Sequence, residues 1–221
     1  MKIKKLIGLT AATLLAALGL GLSTQANAAT SKSFYATTTR QIKSGKVTLP
    51  ANTRVSVWYT ATKNHKQYAS IDLTQMSYGT RHTTKATSIT IPYSHNLKKL
   101  KSNDPASLSL GKGFKYASNT WTKTPKLNFT TDNYVEYFAN GNLNQKPTSS
   151  TKITKTRQKG NVTYYYAKKN MLKLPDKRIS KKGNYQYRLT VRKNKVVSGD
   201  LSISYSVGSS KNYFYTPTLK A

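Results

Sequence analysis

The chain contains no cysteine, which excludes disulfides, thiolate catalysis, cysteine-based zinc sites and thioether-linked lipid together, so any fold must rest on its core. Acidic residues are almost as scarce. Six of them, Asp72, Asp104, Asp132, Glu136, Asp176 and Asp200, face 37 lysines and arginines. Carboxylates placed one at a time do not build the oxygen cage that calcium needs. The single glutamate and the three histidines, His65, His82 and His95, fall into no His-x-His, His-x-x-x-His or Glu-x-x-His spacing, and no Gly-x-Ser-x-Gly elbow occurs. Asp132 and Glu136, four residues apart, are the one local carboxylate pair, and their spacing reads as a solvated helix face rather than as an acid and a base. These shortages argue against an enzyme and against any bound metal or cofactor.

Long apolar runs are also rare. The clearest one, residues 6–22, follows Lys2, Lys4 and Lys5 and closes on Ala26-Asn27-Ala28. A charged start, an apolar middle and a small-x-small end make residues 1–28 a cleavable signal peptide, whose removal is expected to leave no stable membrane span. The whole chain carries +31, and loss of the three leading lysines lowers this by three, to +28. Self-repulsion on that scale calls for a counter-charge. Outside a cell, the abundant polyanions are teichoic acids, anionic lipid head groups, extracellular DNA and host glycans.

Sixteen tyrosines, with many Val, Ile and Thr residues, argue for folded β units despite low hydropathy. In Tyr185-Gln186-Tyr187-Arg188-Leu189-Thr190-Val191 the odd positions are apolar or aromatic, and in Leu201-Ser202-Ile203-Ser204-Tyr205-Ser206-Val207 every even position is serine. Period-two alternation of this kind marks strands with one wet face. Residues 46–49, 54–59, 68–73 and 88–91 repeat the grammar, with turns at Pro50-Ala51-Asn52 and around Lys63-Asn64-His65-Lys66. Short helices are expected at 96–101 and 131–139, and residues 141–160 read as a polar linker or surface loop. The expected fold is therefore all-β, with two small antiparallel β-barrel or β-sandwich modules. Their bounds are 29–93 and 161–221, with a connecting region at 94–160.

The two halves share vocabulary. Phe34-Tyr35-Ala36 answers Tyr165-Tyr166-Ala167, Lys46-Val47 answers Arg178-Ile179, Arg54-Val55-Ser56-Val57 answers Arg188-Leu189-Thr190-Val191, and Ser70-Ile71-Asp72-Leu73 answers Ser198-Gly199-Asp200-Leu201. Duplication and chance likeness are both open at this level.

Residues 46–58, Lys-Val-Thr-Leu-Pro-Ala-Asn-Thr-Arg-Val-Ser-Val-Trp, followed by Tyr68-Ala69-Ser70-Ile71-Asp72-Leu73, resemble bacterial SH3-like modules, with Asn52 where such modules usually carry glycine. The wider make-up looks like secreted surface proteins of lactic acid bacteria, including their S-layer-type proteins. The resemblance implies an all-β module that binds the cell wall.

Basic and aromatic residues interleave in two places. Arg54, Trp58, Tyr59, Lys63 and Lys66 surround one proposed strand, and Arg188, Arg192, Lys193 and Lys195 follow Tyr185 and Tyr187 in the other half. Rings stack on sugars and cations pair with phosphates, so both groups are candidate ligand-binding residues for a sugar-phosphate polymer. Tyr185 and Tyr187 share an alternation phase with Leu189 and Val191, which reads them as core. The expected protein is non-enzymatic, secreted and associated with the cell wall or cell surface through anionic polymer such as teichoic acid. An adhesin for host mucin or matrix, or a binder of extracellular DNA, is the alternative.

Overall fold

Apolar and polar side chains that alternate with a period of two are separated by a pleated strand, and strands dominate the fold. The computed structural model of the protein describes residues 33–101, 107–113, 121, 123–171, 174, 176–194 and 202–217. Residues 1–28, read as a signal peptide, lie outside them. Among the described residues the chain is all-β apart from one helical turn, α1 (Tyr78–Arg81). None of their helices is long and apolar enough to cross a membrane.

The first sheet comprises β1 (Phe34–Thr38), β4 (Arg54–Lys63), β5 (Lys66–Asp72), β6 (Ser88–Pro92) and β7 (Leu97–Lys99), in the order β6-β5-β4-β1-β7 with every pairing antiparallel. A hairpin of β2 (Ile42–Ser44) and β3 (Val47–Leu49) adds Ile42, Val47 and Leu49 to the buried cluster around Ala36, Val57 and Ile71. Turn chemistry sets the register. Asn64 and His65, at φ +46° and +59°, form the two-residue left-handed turn whose twist matches that of the β4–β5 hairpin. Asn52 sits at φ +61°, a left-handed conformation that Asn tolerates better than most residues.

The second sheet closes on itself. It contains β8 (Leu108–Lys112), β9 (Lys126–Phe129), β10 (Tyr134–Phe138), β11 (Ser149–Lys159), β12 (Val162–Ala167), β14 (Tyr187–Lys193), β15 (Ser202–Val207) and β16 (Phe214–Pro217). Neighbours run β12-β11-β10-β9-β8-β16-β15-β14, and β12 also pairs with β14, giving an eight-stranded closed barrel. Closure removes the unpaired edges an open sheet would expose. A two-residue strand, β13 (Lys177–Arg178), adds to β14 beside β15. Leu110, Leu127, Phe129, Leu189, Val207 and Phe214 fill the barrel core.

Among the described residues of 94–160, strands stand where short helices and a linker were expected. The stretch expected to be helical at 96–101 contains β7, whose Leu97 is buried while Lys98 and Lys99 face out along an edge paired to β1. The stretch at 131–139 contains β10, in which Tyr134, Val135, Tyr137 and Phe138 favour the extended chain. Residues 141–160 contain β11, an 11-residue strand. Its inward positions begin with Ser149 and Thr151, hydroxyl residues that count as polar by hydropathy yet are buried here.

The likeness between the halves extends to strand order. The neighbours β1-β4-β5-β6 recur as β12-β14-β15-β16. Tyr35 pairs with Ser56 and Tyr166 with Arg188, a register offset of two residues relative to the sequence match, which preserves the face each side chain occupies. In both halves the alanine, Ala36 or Ala167, is fully buried and the preceding tyrosine faces away from the core. The fourth sequence correspondence, at 198–201, lies outside the described residues.

Candidate polyanion-binding surface

Strands β11, β12, β14 and β13 lie side by side, with Lys155 opposite Tyr166, Tyr166 opposite Arg188, and Arg188 opposite Lys177. Directly opposed residues share a face. Ile153, Ala167 and Leu189 take the interior, so the Lys155-Tyr166-Arg188-Lys177 row faces outward. A bulge makes this possible. Ile153 and Lys155 are two apart and would share a face in a regular strand, but the β11–β12 register steps between them, leaving Thr154 unpaired and turning Lys155 out. Thr154 Oγ1 secures the irregularity by donating toward Asn184 O at 2.7 Å, with Tyr166 O at 3.1 Å.

Two parallel rows follow on the same face, Arg157-Tyr164-Thr190 and Lys159-Val162-Arg192-Ser206. Rows of this kind are about 7 Å apart along the strand and neighbouring strands about 4.8 Å apart. The face therefore gathers Lys155, Arg157, Lys159, Lys177, Arg188 and Arg192 into a patch one polymer segment can span.

Aromatic rings sit between the cations. The Arg188 guanidinium lies 5.4 Å from the centre of the Tyr164 ring, and its Nε is buried with no hydrogen-bond partner. Lys155 Nζ lies 5.3 Å from the Tyr185 ring, which meets Tyr166 edge-on at 6.0 Å. Tyr185 is 47% exposed, whereas Tyr187 packs against the barrel core. The core reading thus holds for Tyr187 and fails for Tyr185, because β14 begins only at Tyr187 and the preceding residues fold over the outer face.

The described carboxylates serve the interior instead. Asp72 accepts from Thr74 and Gln75, and Asp176 accepts from Met171 N. Asp132 accepts from Ser77 N and Oγ, Thr80 Oγ1 and Thr130 Oγ1. Glu136 accepts from Tyr78 N at 2.8 Å and Ser150 Oγ at 3.2 Å, and faces Arg81 at 3.6 Å. The pair expected on a solvated helix face is therefore buried, with Glu136 on β10, and joins the first turn of α1 to the barrel. Desolvation pushes the Glu136 carboxyl above its ordinary value, against the pull of Tyr78 N and Arg81. None of the six cations on the outer face pairs with a carboxylate among the described residues.

The first sequence-derived group is not one site. Arg54 opens β4 half-buried, its Nε without a hydrogen-bond partner, and its charge opposes the burial that pushes the Tyr165 hydroxyl up to about 12. Trp58 is exposed in mid-strand and Tyr59 half-buried opposite Ser70. Lys63 and Lys66 face each other at the hairpin tip, five strand residues and about 17 Å from Trp58. In the second group Arg188 and Arg192 do share the basic face. Lys193 is the last residue of β14 and pairs with the buried Tyr205. Lys195 lies outside the described residues.

Lys155, Arg157, Lys159, Lys177, Tyr164 and Tyr166 escaped the sequence reading. Their signal was present as a basic residue at every second position from 155 to 159, but inside a stretch read as linker. No known protein family, curated protein or solved structure matches the chain.

Proposed function

We propose that this is a non-enzymatic, secreted cell-surface protein that holds anionic cell-wall polymer, with teichoic acid as the fitting class, on the outer face of its barrel. The observation that carries the reading is the set of six cations interleaved with tyrosines and without carboxylate partners among the described residues. Phosphates along a flexible chain meet such a face without a shaped pocket. At about 1 kcal/mol per cation near an anionic surface, six give about 6 kcal/mol, equivalent to a dissociation constant of tens of micromolar. Attachment of this strength is reversible and weakened by salt.

The same reading takes residues 33–101 as an SH3-like, S-layer-type wall module set beside the barrel, so that the chain comprises two β modules. Its support is the five-stranded antiparallel sheet with its own buried cluster, distinct from the barrel core.

The test compares binding of the purified protein to cell walls before and after removal of teichoic acid, with extracellular DNA and mucin as parallel ligands at one ionic strength. Binding that falls on stripped walls and is released by concentrated salt supports the proposal. Undiminished binding to stripped walls contradicts it, and stronger binding to DNA or mucin assigns the basic face to those polymers.

A further inference from the structure

A second bulge falls at Trp58, which already lies on the outward phase of β4 with Ser56. The β4–β5 register steps between Val57 and Tyr59, so that Trp58 has no partner across the ladder. Trp58 is 38% exposed, and its side chain makes no ring contact, cation contact or hydrogen bond among the described residues. A large indole left uncovered beside a cleft is unusual in a chain whose other tryptophan, Trp121, packs 5.0 Å from Lys126 Nζ.

The cleft has a volume of about 600 Å³ and is lined by Phe34, Tyr35, Ser56, Trp58, Gln75 and Lys99, a size that suits a small ligand. Its polar groups are oriented in advance. Gln75 Oε1 accepts from Tyr35 Oη at 3.3 Å and Ser107 Oγ at 2.9 Å, while Nε2 donates to Asp72 Oδ2 at 2.8 Å. This fixes the amide and leaves its second N–H and the Tyr35 oxygen lone pairs for a ligand. Lys99 Nζ stands 4.9 Å from the Phe34 ring, supplying a cation at the cleft wall. Tyr35 and Ser56 occupy the sheet face that carries Tyr166 and Arg188 in the other half.

We propose that this cleft is a binding site for a phosphorylated sugar. The indole of Trp58 stacks on the apolar face of a pyranose ring, Tyr35 and Gln75 take its hydroxyls, and Lys99 pairs with the phosphate ester. The site goes beyond the electrostatic reading of the barrel, because it selects for a ring as well as a charge and uses none of the six cations of the basic face.

The full chain labelled with 5-fluorotryptophan gives two fluorine resonances, from Trp58 and Trp121, assigned with Trp58→Phe. Titration with glucose 6-phosphate is expected to shift the Trp58 resonance saturably and leave Trp121 unmoved. Glucose is expected to bind more weakly, and inorganic phosphate to produce no comparable shift. Lys99→Gln should weaken glucose 6-phosphate about fivefold. Trp58→Ala should abolish saturation transfer to the sugar protons while the Trp121 resonance, holding its position, reports an intact fold. The triple variant K155Q/R188Q/R192Q should bind the sugar phosphate as the unmodified protein does, whatever becomes of its binding to polymer. Absence of a saturable Trp58 shift, an equal shift with inorganic phosphate alone, or loss of the shift in the triple variant would overturn the proposal.

Discussion

Removing three charges from the basic face should cost far more affinity than removing three charges elsewhere. Lys155, Arg188 and Arg192 lie on two outward rows of the barrel, Arg188 backed by Tyr164. At about 1 kcal/mol each, K155Q/R188Q/R192Q should weaken binding to teichoic acid by about 3 kcal/mol, or about 150-fold. The matched control is K43Q/K46Q/K85Q, three exposed lysines of the first half that lower net charge by the same amount. None of them lies on a barrel strand, so they should act through the screened long-range field only, a few-fold at low salt. Isothermal titration calorimetry with purified polymer at two salt concentrations reads both variants. The substitutions at the exposed positions should leave stability within about 0.5 kcal/mol, and thermal unfolding separates from binding any change caused at the half-buried Arg188. Equal losses in the two triple variants would refute the reasoning, since affinity would then follow net charge and not the placement of cations by strand register.

Three further outcomes follow from the interior. Asp132→Ala strips four donors of their acceptor at a buried junction, and should destabilise the fold by roughly 3–5 kcal/mol in chemical denaturation. Because the folded Glu136 carboxyl holds its proton more tightly than the unfolded one, its contribution to stability falls as pH rises from the ordinary carboxylate value through the raised one, and recovers on acidification. Glu136→Gln should flatten that part of the stability profile, while an unchanged profile would remove Glu136 as its source. Gly111→Ala places a Cβ 2.6 Å from Thr124 Cγ2 and 2.7 Å from Trp121 Cζ3, and should lower stability by about 1–3 kcal/mol in the same denaturation assay.

What could be read from the residues was whatever alternation expresses directly. Strands β4, β5, β6, β14 and β15 announce themselves by apolar residues on one phase, and the Asn64-His65 turn by its polar pair between two such runs. The long strand β11 did not, because Ser149 and Thr151 fill inward positions with hydroxyls and its outer half is basic. Asp132 and Glu136 illustrate a second limit. Their four-residue spacing suggests a helix, yet their partners, Ser77, Tyr78, Thr80 and Arg81, lie more than fifty residues away in sequence, and no local pattern reports a contact of that range. The basic face has the same origin. Arg188 and Arg192 stood out beside tyrosines, but Lys155, Arg157 and Lys159 join them only through strand pairing and through the bulge at Thr154, which reverses the phase of β11. The bulge at Trp58 likewise turns Tyr59 outward, a register step that the alternation of β4 does not contain.

Location of the polymer on the protein is the most direct test of the account. Lysine acetylation followed by mass spectrometry, with and without bound teichoic acid, reads each side chain separately. Lys155, Lys159 and Lys177 should be protected by the polymer, while Lys43, Lys46 and Lys85 keep their reactivity. Uniform protection across all six, or protection confined to the first half, would contradict the assignment of binding to the outer face of the barrel.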